Sequence, residues 1–232
     1  MSSKLCIITG VGPGTGTALV RRFAENYRVA MVARDSERLE ALCEAVPGSS
    51  AYPCNVADAE AFAQTLATID RELGHASVVV HNAVGGGIKD VLSLEPRVLE
   101  RNFKINTMAL LQLIQTCAPA MIDQDGGAIL ATGNTAAYRG RGGFSPFAPT
   151  KAAQRILLES AARELGPQGV HACYVAIDAV IDVPWTREWY EGKPDDFFCQ
   201  PADIADECYH LAHQPRSAWT FDTVIRPFGE TW

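Results

Sequence analysis

The sequence predicts an α/β fold of the Rossmann type, a doubly wound parallel sheet in a single domain spanning residues 1–232. Three observations predict it. Short apolar runs alternate with amphipathic stretches along the chain, the pattern of parallel β-α-β units. Runs such as Arg28–Ala33, Ser77–His81 and Val170–Ile177 are apolar almost continuously, as strands buried on both faces are. The first run, Leu5–Thr9, feeds into Gly10-Val11-Gly12-Pro13-Gly14-Thr15-Gly16 and then into an amphipathic stretch. Strand, glycine turn and helix together hold anions: glycines let the backbone approach closely, and the helix start offers open N–H groups at a positive dipole end.

Start and stop signals place the other elements. The first helix is expected over Gly14–Glu25 and the second strand over Arg28–Ala33. Ser36 is expected to cap a helix that runs to Ala45 and stops before Pro47-Gly48, because its hydroxyl can accept from the first turn. A strand over Ala51–Cys54 precedes a helix that starts at Asp58, reaches Glu72 and is closed by Gly74. The strand Ser77–His81 opens into Gly85-Gly86-Gly87. Pro96–Asp123 reads as one long helix, with Val98, Leu99, Phe103, Leu110, Leu111, Ile114 and Cys117 at helical spacing. Asp125-Gly126-Gly127 turns into a strand over Ala128–Thr132, and a helix follows from Phe147 to Leu165. Strand Val170–Ile177, helix Ala202–Leu211 and strand Thr220–Ile225 complete the order. Between them, Val183–Cys199 crowds Trp185, Trp189, Tyr190, Phe197 and Phe198 into a polar loop, expected either to cover a pocket as a lid or to pack plainly.

Composition narrows the partners. A net charge of −7 argues against nucleic acid or an anionic membrane, and no apolar run approaches the ~20 residues of a membrane span. The first strand starts close to Met1, which is expected to leave no room for a leader. The seven cysteines form no C-x-x-C pair, and an odd number without a leader points to the reducing cytoplasm. Cys6, Cys54 and Cys173 fall in strands and read as small buried hydrophobes. His210 and His213 share a helix without a third ligand in view, so no metal site is expected.

Thr9-Gly10-x-x-x-Gly14-x-Gly16 after the first strand, with His81-Asn82-Ala83-Val84-Gly85 after the fourth, resembles the short-chain dehydrogenase/reductase family over essentially the whole chain. The resemblance implies a nicotinamide dinucleotide lying across the carboxyl ends of the strands, over Gly10, Gly12, Pro13, Gly14, Thr15 and Gly16. It also implies contacts with Asn82, Ala83 and Val84, with Asn55 and Val56 beside the adenine, and with Asp178, Ala179 and Val180 beside the nicotinamide. An NAD-type site carries a carboxylate at the end of the second strand for the ribose 2′-OH. Here that position is Ala33, followed by Arg34. A neutral residue and a guanidinium suit a 2′-phosphate, so NADP(H) is the expected cofactor. Asp35 comes one step late and is expected to turn outward at the helix start.

The resemblance also implies an active site of Asn, Ser and Tyr-x-x-x-Lys. Tyr passes a proton to the substrate oxygen, Lys tunes it and binds the ribose, Ser orients the oxygen and Asn holds a water. In this sequence Lys151 matches the Lys and Asn106 the Asn. Phe147 stands at the Tyr position, and Asn134 at the Ser position, 13 residues before it, as in the family. Phenylalanine cannot donate, accept or ionise, while Asn134 can still donate to an oxygen. Lys151 keeps its ribose role and becomes an acid if its pKa falls. Tyr138, Arg139, Asp178, Asp182 and Tyr190 are other groups able to supply a proton. Val183 replaces a threonine common in the family's nicotinamide loop.

The departures cluster at the reacting end, whereas the phosphate end is intact. The expected function is an NADP(H)-dependent oxidoreductase acting on a small carbonyl, alcohol or imine substrate. The alternatives are a catalytically silent nucleotide-binding or sensor protein, and dehydratase- or isomerase-type chemistry in the same cleft. In the family the two long helices pair between subunits, implying a homodimer or homotetramer. The tail Arg226–Trp232 is expected to dock on a neighbouring subunit or to fray.

Overall fold

A computed structural model describes residues 4–229 of the chain. Residues 230–232, the end of the tail expected to dock, lie outside the described residues. The main sheet holds β1 (Leu5–Thr9), β2 (Arg28–Ala33), β3 (Ser49–Pro53), β4 (Ala76–His81), β5 (Gly127–Gly133), β6 (Val170–Ile177) and β9 (Asp222–Ile225). Its order is β3-β2-β1-β4-β5-β6-β9, with every pairing parallel. The chain winds outward from β1 to β3, returns to β4 and winds outward the other way. The order therefore reverses between β1 and β4, and a crevice opens at their carboxyl ends.

Alternating side chains feed two cores. On one face α3 (Ala59–Leu73), α5 (Ala109–Asp123) and α6 (Ala148–Leu165) bury Phe62, Leu66, Leu110, Leu113 and Leu158 against Ile7, Val79, Ile129 and Tyr174. On the other, α1 (Thr15–Ala24), α2 (Ser36–Ala45) and α8 (Pro201–Ala212) bury Leu19, Phe23, Leu39 and Ile204 against Ile8, Met31, Val80 and Cys173. Along β6, Ala172, Tyr174 and Ala176 face one core and Cys173, Val175 and Ile177 the other, the two-residue period of a strand.

The structure refines several local expectations. Asp35, not Ser36, caps α2: its backbone is extended and its carboxylate accepts from Arg38 N–H at 3.0 Å. β3 starts at Ser49 and ends at Pro53, so Cys54 is buried just past the strand. The final strand starts two residues late, at Asp222. The expected single helix over Pro96–Asp123 is α4 (Pro96–Phe103) and α5 joined by a π turn at Lys104–Met108. Among the described residues this 28-residue stretch alone is long and apolar enough to cross a membrane by length and composition. Here it packs on the sheet through Leu110, Leu113 and Met121. The aromatic loop folds into α7 (Pro184–Trp189) and a short strand, β8 (Phe198–Cys199), paired with β7 (Val180–Ile181).

Candidate active site

A cleft of about 990 Å³ opens over the carboxyl ends of the strands at this crevice, a size and place typical of cofactor sites. Gly10, Gly12, Pro13, Gly14, Thr15 and Gly16 line it, as do Arg34, Asn55, Val56, Asn82, Ala83, Val84, Ala179 and Val180. Trp185, Trp189 and Tyr190 of the aromatic stretch line it too and are exposed. Asn106, Asn134, Phe147, Lys151 and Asp178 do not line the cleft. Arg38 and Arg101 do, with no motif pointing to them, and so does Asp35, which was expected to turn outward: it caps α2 and still borders the cleft. Arg38, in the first turn of α2, follows the cap residue Asp35 by three positions and pairs with it.

At the phosphate end the floor is rigid. Gly10 adopts φ +75°, and a Cβ there would collide with the backbone of Ala83. Its N–H donates to Val32 O at 2.8 Å. Asn82 acts as a strut, donating from Nδ2 to Gly10 O at 2.8 Å and accepting from Thr132 Oγ1 at 2.8 Å. The roof of the turn is different. α1 has Gly14 as its cap residue, so it starts without a side-chain cap, and it has no acid in its first turn. Thr15 Oγ1 is buried and has no hydrogen-bond partner among the described residues. A bare helix start and an orphaned hydroxyl are costly unless something binds them, and a phosphate satisfies both. The residues present therefore fit a dinucleotide phosphate.

At the end of β2, Asp35 is already occupied. It caps α2 through Oδ1 and pairs with Arg38 Nη2 through Oδ2 at 2.8 Å. The carboxylate nearest to Ala33 is thereby neutralised, and Arg34 remains as an exposed cation beside it.

The end expected to react is a closed polar cluster. Lys151 is 2% exposed, and its Nζ donates to Thr132 O at 3.1 Å and to Gln154 Oε1 at 2.9 Å. Burial lowers its pKa to about 7. Its ammonium lies 5.9 Å from the centroid of the Phe147 ring, near enough for a cation–π attraction. Asn106 sits in the π turn, with its side-chain amide paired to Gly85 N–H at 2.8 Å and Gly85 O at 2.7 Å. Its Nδ2 also donates to Thr150 Oγ1 at 2.7 Å, and that hydroxyl donates to Phe147 O at 2.7 Å. Asn134 Oδ1 accepts from Ala136 N–H at 3.2 Å. Behind it, the buried hydroxyl of Tyr174 contacts the Asn134 backbone and fills the space that a Cβ on Gly133 would take.

Asn106, Phe147 and Lys151 are thus brought together, with Gln154 and Thr150 as unforeseen members of the same cluster, while Asn134 stands at its edge. His81 is fully buried between Thr9 Oγ1 at 2.8 Å and Ile105 O at 3.0 Å. The carbonyl can only accept, so Nε2 carries the proton and Nδ1 accepts from Thr9. Burial, with Lys151 adding to it, lowers the His81 pKa to about 3. Of the other proton candidates, Tyr190 lines the cleft with its ring against Phe197, and three have polar partners in the protein. Tyr138 is bonded to Asp222, Asp178 accepts from Thr135 Oγ1 at 2.6 Å, and Asp182 is held by Arg187 and Gln200.

A doubly wound sheet with an anion cradle at its switch point defines a dinucleotide-binding α/β protein. The chain belongs to the short-chain dehydrogenase family, whose model matches residues 4–193. It is 28% identical to an L-xylulose reductase of Bos taurus, covering 97% of this chain and 95% of the relative. It is 31% identical to the 3-oxoacyl-(acyl-carrier-protein) reductase FabG of Staphylococcus aureus, covering 96% of each. A metagenomic short-chain oxidoreductase solved in complex with NADP superposes with a TM-score of 0.85, at 24% identity over 99% of both chains.

Proposed function

We propose that this chain is an NADP(H)-dependent oxidoreductase that acts on a small carbonyl, alcohol or imine with a non-standard active site. The observation that carries the reading is the phosphate end. An uncapped helix and the orphaned Thr15 hydroxyl await an anion, and Arg34 stands free of the carboxylate that follows it. The two curated relatives are named as reductases and the solved neighbour holds NADP, which supports the same class. When bound, the nicotinamide supplies or accepts a hydride. The chain's own residues do the rest. Gly12–Gly16 hold the diphosphate and Arg34 the 2′-phosphate. Asn55, Val56, Asn82, Ala83 and Val84 line the path of the dinucleotide, and Ala179 and Val180 flank its far end.

Phe147 has no proton to give, so Lys151 takes the acid role: with a pKa near 7 it exchanges a proton at neutral pH. On this reading Asn134, at the edge of the cluster, gives its amide N–H to the substrate oxygen, and Asn106 fixes the Gly85 backbone. The same reading includes assembly as a homodimer or homotetramer, and free, mostly buried thiols suit a cytoplasmic setting.

Fluorescence titration with NADPH and NADH, followed by turnover of a carbonyl panel, tests the reading. NADPH preference and steady oxidation with at least one carbonyl are expected, and Phe147→Tyr should raise ketone turnover by roughly 10²-fold by restoring an acid. NADH preference, or no turnover in either protein, overturns it. The closed cluster favours a second reading, a nucleotide-binding protein without turnover, because Lys151 and Asn134 already have protein partners. Tight NADPH binding with no product from any carbonyl is its signature.

A further inference from the structure

Gln154 is a fully buried polar side chain in α6, three residues after Lys151 and so on the same helical face. Its two ends face opposite chemistry. Oε1 accepts from Lys151 Nζ at 2.9 Å, and Nε2 donates to Asn106 O in the π turn at 2.8 Å. An ammonium can only donate and a carbonyl can only accept. The amide is therefore fixed in one orientation, since a flip would set NH₂ against NH₃⁺ and oxygen against oxygen. Isosteric Glu would bring a charge into this place, and Met would satisfy neither neighbour.

We propose that Gln154 is a positioning residue that pins the Lys151 ammonium on the inner side of the site and ends the buried polar path there. An amide accepts a hydrogen bond from the ammonium but does not carry its proton onward to Asn106 O. Proton exchange by Lys151 is confined to the side facing Phe147. The remaining partners of Nζ agree with this. Thr132 O on β5 is a neutral acceptor, and the Phe147 ring lies on the third side. The nearby titratable groups are His81 at the end of β4, neutral because burial lowers its pKa to about 3, and Tyr174 on β6, whose pKa burial raises. Further along α6, Arg155 is paired with Asp222 of β9 and Glu159. No carboxylate among the described residues forms an ion pair with Lys151.

The catalytic meaning of this rests on the oxidoreductase reading, but the test does not. The full chain, labelled at lysine Cε, is titrated by NMR as wild type, Gln154→Glu and Gln154→Met. The Lys151 resonance is the one missing from Lys151→Met, and thermal melts establish that each variant folds. Gln154→Glu is expected to raise the Lys151 midpoint by at least one pH unit, a tenfold shift, because a carboxylate then meets the ammonium. Gln154→Met should lower the midpoint, because an acceptor is lost. If both variants fold and titrate with the wild-type midpoint, Gln154 does not position Lys151 and the proposal fails. A shifted midpoint without turnover in any protein leaves the positioning standing and removes the oxidoreductase reading. Turnover with an unshifted midpoint does the reverse.

Discussion

The two ends of the cleft treat their polar groups in opposite ways. At the phosphate end, Thr15 Oγ1 is buried without a partner among the described residues and α1 starts without a side-chain cap. At the reacting end, Lys151, Asn106, Asn134, Thr150 and Gln154 all bond to other parts of the protein. Buried polar atoms are almost always satisfied. A group left open marks where a ligand completes the fold, and a group already satisfied must give up a partner before it can serve one. At the phosphate end the open group is Thr15 Oγ1, where an anion fits, whereas the polar groups named at the other end are satisfied by the protein.

The strongest way to break this contrast is to remove the charge at the self-contained end. Burial lowers the Lys151 pKa to about 7 in the folded protein, against ~10.4 in an unfolded chain. Between these values the unfolded state holds the extra proton, so wild-type stability rises with pH through that window. The contribution reaches about 1.4 kcal/mol per pH unit, or about 4 kcal/mol from pH 7 to 10. Lys151→Met lacks it. Urea melts of both proteins should show wild type gaining on the variant across this range. A constant difference would mean that Lys151 is well solvated and the cluster is not closed.

At the phosphate end the largest effect should come from the floor. Gly10→Ala forces a side chain into φ +75° and against Ala83. Strain and overpacking together cost about 3 kcal/mol, which lowers the melting temperature by roughly 10 °C. An unchanged melt would show that the turn is more yielding than its contacts imply. Arg34→Ala acts on the ligand alone. Loss of a charge-assisted contact should cost NADPH about 2 kcal/mol, roughly 30-fold in Kd, while NADH binding stays as it was. Equal losses for both would detach Arg34 from the 2′-phosphate.

The contrast itself was partly legible in the sequence. Gly10, Gly14 and Gly16 announced the anion turn, and β1, β2 and β6 run over the residues expected of them, because a glycine turn and continuous apolar runs are local signals. The caps were ambiguous, since Asp35 and Ser36 are both good cap residues and only the backbone decides between them. The π turn was illegible. Lys104–Met108 contains neither Gly nor Pro, and its carbonyl is satisfied by Gln154 from another helix, 48 residues along the chain. Asn134 and Phe147 raised the expectation of an altered reacting end. They did not show that its remaining polar groups had turned toward one another, because that depends on contacts between α6, β5 and the π turn rather than on any motif.

Two threonines sharpen the comparison most finely, since each can be replaced by valine with little change of shape. Thr15→Val removes a buried hydroxyl that has no partner among the described residues. The protein without cofactor should gain up to ~1 kcal/mol, because an unsatisfied polar atom is exchanged for a methyl. NADPH affinity should fall about fivefold, because the ligand loses the partner that the hydroxyl was awaiting. Thr150→Val makes the same chemical change at the other end, where it strips a partner from both Asn106 Nδ2 and Phe147 O. It should cost about 1.5 kcal/mol in a melt without cofactor and leave NADPH affinity nearly unchanged. Opposite signs in stability from one substitution would establish that the phosphate end is held open for a ligand and the reacting end closed by the protein. If Thr15→Val also destabilises, the hydroxyl has a partner within the fold and needs no anion to satisfy it.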